Sequence, residues 1–300
     1  MDKKYCFNCD CENDYYVKKE KILHTIHGVE FYVEQNNYYC SVCNDEIDGG
    51  NLQEEMDNMT NGYFNCFGLS LNKLSEIRKS YNLTQELFAN ILGWSKKSIV
   101  RYEKGQSLPQ REYINTYMEL MNDPIKLYSM VEDKKDELKD DYDEIIKRLK
   151  DNQLYKGINL LLYVLKNKTL YRMQLMKNAF AIDTLYHKNQ KKRLTSFDYA
   201  HAPYGPVIDD FDKLFISLIS HGYIELKVDD NDKIMLKGVK EPNMNIFTKD
   251  EISIMDEVIN EYKDKTSKEL SDISHEYIGW KNTKDGELID FKYSDNFKLK

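Results

Sequence analysis

Apolar and polar residues alternate near the N-terminus of the chain and take helical spacing further along it. Residues 22–26 and 29–33 alternate around His27-Gly28, and Asn36-Asn37 follows shortly after them. Alternation bounded by such residues predicts short strands, with one turn at His27-Gly28 and another at Asn36-Asn37.

Residues 45–62 are mainly polar and contain Gly49-Gly50, so they are predicted to form a linker with one helical turn at most. From residue 70 to about residue 117 the apolar positions follow helical spacing. Turn residues interrupt this spacing at three places, which predicts several short helices packed at an angle. The interruptions lie at residues 82–84, Gly93 and residues 105–109.

Residues 123–151 are dominated by charge, yet five apolar residues recur on one helical face. They are Val131, Leu138, Tyr142, Ile145 and Leu149. The pattern predicts a solvated connecting helix. A coiled-coil seam of a dimer is the alternative, for which two heptads are too few.

A second helical region follows residue 152. Pro206 is suited to the first position of one of its helices, and residues 223–228 and 233–236 predict a short hairpin. Thr248–Glu251 and Thr266–Glu269 match capping boxes. Two sets of apolar residues at helical spacing are expected to lie in the core of this region. The first is Leu154, Ile158, Leu161, Leu162 and Leu165, and the second is Val207, Ile208, Phe211, Leu214, Phe215, Leu218 and Ile219.

Composition restricts the class of protein. The 300 residues have a mean hydropathy of −0.69, no run approaches the roughly 18 apolar residues of a membrane span, and residues 1–6 lack the apolar core of a signal peptide. These features predict a cytoplasmic protein. The net charge of −8 argues against wrapping of nucleic acid by the whole surface and leaves a local basic face open.

All six cysteines lie within the first 66 residues, and four form two Cys-x2-Cys pairs. Cys6, Cys9, Cys40 and Cys43 can place four thiolates around one zinc ion, which leaves no open coordination position. We therefore expect a single structural Zn²⁺ rather than ordinary reduced cysteines. Cys11, His24 and His27 are alternative ligands, and Cys66 is expected to pack as a small hydrophobic residue.

Residues 83–105 carry the strongest local signal. Thr84 and Ser95 are suited to cap two successive helices, Gly93 to form the tight turn between them, and Gly105 to end the second. The residues expected to pack the helices together are Leu87, Ala89, Leu92, Ile99 and Tyr102. The residues left facing outward on the second helix are Lys96, Lys97, Ser98 and Arg101.

Charge agrees with a nucleic-acid partner, since residues 67–111 hold eight basic and three acidic side chains within an acidic chain. The segment resembles the phage-repressor (Cro-like) helix-turn-helix family in its elements Leu83-Thr84-Gln85, Leu92-Gly93 and residues 101–105. That resemblance implies that residues 95–104 form a recognition helix in the major groove.

By the same resemblance, Gln85 and Ser95 would hold phosphates of double-stranded operator DNA. Lys97, Ser98 and Arg101 would reach base edges, with Lys96 beside them. One helix reads few base pairs, so a homodimer on a near-palindromic operator is expected. A helical hairpin used only for protein contacts is the alternative.

Residues 1–120, with a cysteine ribbon followed by a helix-turn-helix, also resemble the MqsA antitoxins. Members repress their own operon, and their zinc domain is associated with toxin binding. Residues from about 152 onward resemble the Panacea (SocA-like) domain, which implies neutralisation of a toxin by masking or by delivery to a protease. The resembling pieces are Tyr171–Lys177, Tyr199–Val207 with Tyr204-Gly205-Pro206-Val207, residues 222–224, and residues 270–289 with Ser274-His275-Glu276 and Trp280.

Enzyme motifs are missing. His275-Glu276 is followed by Gly279 where a zinc protease needs a second histidine, and His187, His201 and His221 accompany no nucleophile motif. We therefore expect no catalysis and no membrane partner. We expect an antitoxin of a type II toxin-antitoxin system that binds operator DNA and a co-encoded protein toxin, at a surface that the sequence does not locate. The alternative is a phage-type zinc-containing regulator with a C-terminal sensing or protease-adaptor domain.

The expected fold is mainly α with small β elements (α+β). Its predicted segments are a zinc ribbon and linker (1–62), a helix-turn-helix domain (63–122), a charged connecting helix (123–151) and a helical Panacea domain with a short hairpin (152–300).

Overall fold

The computed structural model describes residues 3–48, 50 and 52–300. It divides into two compact units, which are described separately. The N-terminal unit comprises Met1–Ser80 and Thr84–Asn122, and the C-terminal unit comprises Tyr81–Leu83 and Asp123–Lys300.

The first part of the N-terminal unit is a β-arm, defined here as residues 4–47. Its strands β3 and β4 pair over their full length from Tyr15–Cys40 to Ile26–Val29, and β5 adds to β4 at Tyr38 and Tyr39. Twelve residues per strand make this hairpin about 40 Å long. The five strands are β1 (Lys4–Cys6), β2 (Cys11–Asn13), β3 (Tyr15–Ile26), β4 (Val29–Cys40) and β5 (Glu46–Ile47).

The turn of this hairpin is at His27-Gly28, as predicted. Both residues have positive φ, 49° and 75°, which suits the right-handed twist of the flanking strands. The turn predicted at Asn36-Asn37 is wrong, because both residues lie within β4 opposite Lys18 and Lys19. The Asn37 side-chain amide donates to Glu20 at 2.9 Å, so a cross-strand bond replaces the local turn.

The segment predicted to be a linker instead contains a long helix, α1 (Leu52–Asn65). Its C-terminal half is covered, with Tyr63 and Phe64 buried. A Cβ added at Gly62 would lie 2.9 Å from the Phe31 ring of β4, so helix and arm are in close contact. The spacing of Leu52, Met56, Met59 and Tyr63 was the helical signal that this polar segment contained.

The short helices predicted after residue 70 are confirmed. The buried side chains of Leu74, Phe88, Ile99 and Ile114 each come from a different helix and form their common core. The helices are α2 (Leu71–Ser80), α3 (Gln85–Leu92), α4 (Lys96–Glu103) and α5 (Arg111–Asn122).

The single connecting helix predicted for residues 123–151 is wrong. Three shorter helices replace it, with breaks at Lys134 and at Lys139, whose φ is 44°. Val131, Leu138, Ile145 and Leu149 are buried in the C-terminal unit, so the apolar stripe is core rather than a seam between two chains. The helices are α6 (Lys126–Asp133), α7 (Lys135–Leu138) and α8 (Asp140–Leu149).

Helix α10 forms the centre of the C-terminal unit and buries every residue from Leu175 to Leu185. It is too buried to show an amphipathic pattern. The remaining helices are α9 (Gln153–Val164), α10 (Arg172–Gln190), α11 (Phe211–Ser220), α12 (Lys249–Tyr262), α13 (Ser267–Glu276) and α14 (Ile278–Lys281), with 3-10 turns at Met244–Ile246 and Phe291–Asn296.

Two small sheets complete this unit, and the predicted hairpin is confirmed as β9 and β10, with β6 on the far side of β10. Both predicted capping boxes are present, at Thr248 and Thr266. The helix expected to start at Pro206 starts at Phe211 instead, because Val207 and Ile208 pair with Ala200 and Tyr199. The strands are β6 (Thr169–Tyr171), β7 (Tyr199–Ala200), β8 (Val207–Ile208), β9 (Ile224–Val228) and β10 (Ile234–Gly238).

The mainly helical fold with small β elements is thus confirmed. Among the described residues, no helix combines the length and the apolar composition that crossing a bilayer requires.

Candidate metal centre and nucleic-acid interface

Four cysteines converge at the end of the β-arm. The sulfurs of Cys6, Cys9, Cys40 and Cys43 all lie within 4.8 Å of one another, with Cys6–Cys43 at 3.4 Å and Cys9–Cys40 at 4.0 Å. A tetrahedron of thiolates at 2.3 Å from zinc has sulfur–sulfur edges of about 3.8 Å. The four cysteines could therefore hold a metal ion.

Backbone geometry favours the thiolate form at Cys40, whereas the pKa values of the Cys6 and Cys9 thiols lie above the ordinary value. The Val42 N–H donates to Cys40 Sγ at 3.4 Å, and the N–H groups of Cys43 and Val42 lower the pKa of the Cys40 thiol to about 6. Cys6 and Cys40 are fully buried, so their thiolates would lie away from water. Hydrogen bonds of this type favour the thiolate form that metals bind.

The alternative ligands lie outside this cluster. Cys11 is opposite Cys6 in the β1–β2 pair, but its sulfur is exposed and directed to Asn13. The His24 ring stacks on Phe31, and His27 Nε2 lies 3.1 Å from the Leu108 carbonyl oxygen. Among residues 3–48, 50 and 52–300, the four cysteines form the one group whose geometry could hold a metal ion.

Cys66 was expected to be packed, and this prediction is wrong. It lies just beyond the end of α1, where its side chain is exposed. Its thiol donates to the Gly62 carbonyl oxygen at 3.4 Å, four residues back along the chain.

The helix-turn-helix caps occur at the predicted residues. Thr84 Oγ1 accepts from the Leu87 N–H at 3.2 Å, and Ser95 Oγ accepts from the Ser98 N–H at 3.1 Å. Gly93 ends α3 with φ 73°, a left-handed conformation that glycine adopts without strain. The predicted packing residues Leu87, Ala89, Leu92, Ile99 and Tyr102 are all buried.

A buried ion pair that sequence reasoning missed connects three of these helices. Arg78 on α2 donates to both carboxylate oxygens of Glu103 on α4, at 2.6 and 2.8 Å. Gln85 on α3 donates its side-chain amide to Glu103 at 2.9 Å. Only 11% of the Arg78 side chain and 5% of the Glu103 side chain are exposed, and the pair raises the pKa of Arg78. This network fixes the direction of α4.

Gln85 is accordingly half-buried, and its side-chain nitrogen faces Glu103 rather than solvent. Ser95 is exposed, but its hydroxyl is occupied by the cap and lies 2.9 Å from Ser98 Oγ. Lys96 is exposed and pairs with Glu86 at 2.8 Å. These three side chains, which were predicted to contact DNA, therefore bond to groups of their own chain in the structure.

Lys97 and Arg101 present the free cationic groups of α4. They are four residues apart, so they lie on the same side of the helix, and both are exposed. Within the part of the chain that the structure describes, neither side chain has an ion-pair or hydrogen-bond partner. Ser98 lies between them and is half-buried. The exposed face of α4 therefore carries unpaired positive charge, which is a feature of nucleic-acid-binding surfaces.

Three of the four pieces that resemble the Panacea domain meet at one place in the C-terminal unit. The Tyr204 carbonyl accepts hydrogen bonds from Lys177 on α10 and Ser271 on α13. Gly205 has φ 104°, and a Cβ there would overlap Ser274 Oγ and crowd Lys177 Nζ. The loop therefore requires glycine, and it leaves the Tyr204 ring 71% exposed.

Trp280 supports this loop from the other side. Its Nε1–H donates to the Ala202 carbonyl at 3.3 Å, and the rings of His201 and His275 each lie 4.1 Å from it. Lys177 is 2% exposed, and burial lowers its pKa to about 8. The sequence resemblance had grouped these residues without indicating that they touch.

A buried carboxylate on α10 connects this helix to the segment that follows it. Asp183 accepts from the Thr195 N–H at 3.1 Å and from the Tyr199 hydroxyl at 2.6 Å, and burial raises its pKa to about 6. The scattered histidines of this unit have polar partners: His187 lies 2.8 Å from Ser294 Oγ, and His221 lies 2.7 Å from Asp123.

Comparison with protein families agrees with this geometry. Residues 74–122 match the family model described as helix-turn-helix, and residues 175–281 match the model described as antitoxin SocA-like, Panacea domain. The resemblances to a helix-turn-helix and to the Panacea domain are confirmed, and the four-cysteine cluster fits the predicted zinc ribbon. No curated protein and no solved structure matches the chain.

Proposed function

We propose that this chain, which contains a helix-turn-helix domain and a SocA-like Panacea domain, is the antitoxin of a type II toxin-antitoxin pair. In this proposal it binds operator DNA through α4 and represses its own operon. It also neutralises a co-encoded protein toxin, mainly through residues 152–300. The observation that carries the proposal is that Lys97 and Arg101 are both exposed on α4. The same chain matches an antitoxin family at residues 175–281.

The DNA-binding part rests on charge and on orientation. The Arg78–Glu103 pair holds α4 in place, so that Lys97 and Arg101 are presented by a helix of fixed direction. We assign base-edge contacts to Lys97, Ser98 and Arg101. Gln85, Ser95 and Lys96 would contact phosphates from beside the groove, after exchanging their intramolecular partners.

A single α4 covers one half-site, so we propose a homodimer on a near-palindromic operator.

For the arm we propose one structural Zn²⁺, since four thiolates complete its tetrahedral coordination and leave no place for a substrate. Reduced metal-binding cysteines are typical of the cytoplasm, where we place the protein. We assign no catalytic step to any residue.

Operator binding is tested by replacing one of the free cations of α4. In the intact chain, Arg101→Ala should weaken binding to operator DNA by about 1 to 3 kcal/mol, because the guanidinium can bond bidentately to guanine. Fluorescence anisotropy at fixed salt measures this. Lys79→Ala on α2 removes one exposed charge from the same domain and serves as the matched control. Equal affinity of the Arg101 variant and the control would remove Arg101 from base readout.

Toxin neutralisation is tested in cells. Expression of the neighbouring open reading frame alone should arrest growth, and co-expression of this chain should restore it. Rescue should persist with Arg101→Ala, since that variant leaves residues 152–300 unchanged. A harmless neighbour would favour the alternative of a zinc-containing regulator with a sensing or protease-adaptor domain.

A further inference from the structure

A cleft in the C-terminal unit lies between the end of α9 and the end of β10, far along the chain from the DNA-binding helices. It has a volume of about 420 Å³, within the range of small-ligand sites. Four of its lining residues are lysines and one is acidic. These charged residues are Lys166, Lys168, Lys237, Lys240 and Glu241.

Three of the lysines have carboxylate partners. Lys166 lies 3.4 Å from Glu241, and Lys237 lies 3.0 Å from Glu225. The third, Lys240, lies 3.8 Å from Asp133 and above the Tyr223 ring. Glu241 and Asp133 are 80% and 68% exposed, so solvent screens their charge.

Lys168 differs from the other three. It is half-buried, burial alone lowers its pKa, and no carboxylate among the described residues pairs with its ammonium group. A partly desolvated cation without a counter-ion is unfavourable. An anion in the cleft would remove that cost.

The ordinary explanation for lysines at this place is the end of α9, because backbone carbonyls at a helix C-terminus attract cations. It accounts for Lys166 and Lys168, which follow α9 directly. It does not account for Lys237 and Lys240, which come from β10 and the residues after it. The lining thus combines four lysines from two separate elements with a single acidic residue, and among these lysines Lys168 is the one without a carboxylate partner in the described chain.

We propose that this cleft binds a small phosphate-bearing anion. Lysine is a compact charge that binds phosphate oxygens without demanding a fixed planar geometry. Among the lining residues of the described chain there is no arginine and no aromatic ring, so recognition would rest on the phosphate groups rather than on stacking of a base. The site goes beyond the proposed antitoxin function and does not depend on it.

The test measures binding of pyrophosphate and of ATP to the full-length chain by isothermal titration calorimetry at constant ionic strength. Saturable one-to-one binding is expected. Lys168→Met should weaken it at least tenfold, and Lys166→Met severalfold. Lys213→Met removes an exposed lysine of α11 and should leave the affinity unchanged.

Three results would overturn the proposal. The first is the absence of saturable binding of either probe to the unaltered chain. The second is a lower melting temperature of Lys168→Met with unchanged affinity for pyrophosphate, which would assign Lys168 to the end of α9. The third is displacement of pyrophosphate by operator DNA, with Lys168→Met weakening DNA binding as much as Arg101→Ala, which would assign the cleft to nucleic-acid phosphates.

Discussion

The β-arm and the C-terminal unit differ in what their interiors contain. At the metal end of the arm, the buried cluster consists of Cys6, Cys40 and Ile47, with only a few partly buried residues against it. In the C-terminal unit, α10 alone buries eleven consecutive residues. The first region has too little apolar burial to order its own chain, whereas the second has ample burial for that purpose.

This difference shows that one polypeptide can combine two sources of stability. In the arm, a metal would contribute most of the folding free energy, since such a site forms together with the fold. In the C-terminal unit, packing also accommodates the buried carboxylate of Asp183, which accepts hydrogen bonds from Thr195 and Tyr199. Four substitution experiments test the comparison.

The largest effect is expected for Cys40→Ser. Loss of one thiolate should abolish metal binding and the folding of the arm, with an apparent loss of about 10 kcal/mol of binding free energy. Metal content per chain and limited proteolysis within residues 3–47 measure both. Cys66→Ser is the control, because that thiol lies outside the cluster. A metal-free arm that resists protease would show that the two regions are stabilised alike.

A smaller effect concerns Asp183 and pH. Its pKa is raised to about 6 from 3.8, so the folded state holds this proton more tightly than the unfolded state. The resulting stability is fully present below about pH 4 and is lost as the pH rises through about 6. At 1.36 kcal/mol per unit, the loss is about 3 kcal/mol.

Chemical denaturation of the wild type between pH 4 and 7 should therefore show a decline that Asp183→Asn lacks. Asp198→Asn, at an exposed carboxylate paired with Arg193, should retain it. The same decline in all three proteins would mean that burial of Asp183 has no role in it.

The next comparison pairs a glycine of the C-terminal unit with a glycine of α1 that contacts the β-arm. In Gly157→Ala the new Cβ would lie 2.5 Å from the Phe197 ring, and Phe197 is 4% exposed. Overpacking should cost about 1 to 3 kcal/mol. In Gly62→Ala the Cβ would lie 2.9 Å from Phe31 of the arm. This overlap is smaller than the one at Gly157, so the gain of up to about 1 kcal/mol in helix propensity, which both helical sites share, should offset most of its cost.

Thermal unfolding of the two alanine variants should thus give a clear drop for Gly157→Ala and a change near zero for Gly62→Ala. If the order were reversed, contact of the arm with α1 would be as tightly packed as the core of the C-terminal unit.

The smallest effect is expected for the ion pairs on the arm. Lys19 lies 2.9 Å from Glu34 across the hairpin, and both side chains are at least half exposed. Lys19→Met should leave metal content and protease resistance unchanged, because exposed pairs add little to stability. A protease-sensitive arm in this variant would indicate that surface charge, not the cysteine cluster, holds the strands together.

Much of the fold and of the candidate sites follows from short sequence signals. Each Cys-x2-Cys pair closes within four residues, and the caps at Thr84 and Ser95 act within three. The exposure of Lys97 and Arg101 follows from the helical period once the apolar positions are known. These features can be predicted from the sequence because each depends on residues only three or four positions apart.

The errors have a common origin in contacts between distant residues. Asn37 bonds Glu20 across a hairpin instead of forming a turn, and α1 is stabilised at one end by Phe31 and Val33. The break at Lys139 lets the apolar residues of α7 and α8 enter a core. In each case packing outweighed a local preference of about 1 kcal/mol.

The amino-acid sequence by itself determined the two Cys-x2-Cys pairs, the capped helix starts at Thr84, Ser95, Thr248 and Thr266 and the two regions of family resemblance, because these depend on the identity and spacing of near neighbours. Tertiary structure decided that Arg78 and Glu103 pair across 25 residues, that Lys177 holds the Tyr204 loop, and that four lysines from two elements share one cleft. Spacing along the chain carries no record of distance in space, and burial and electrostatic pairing depend on that distance.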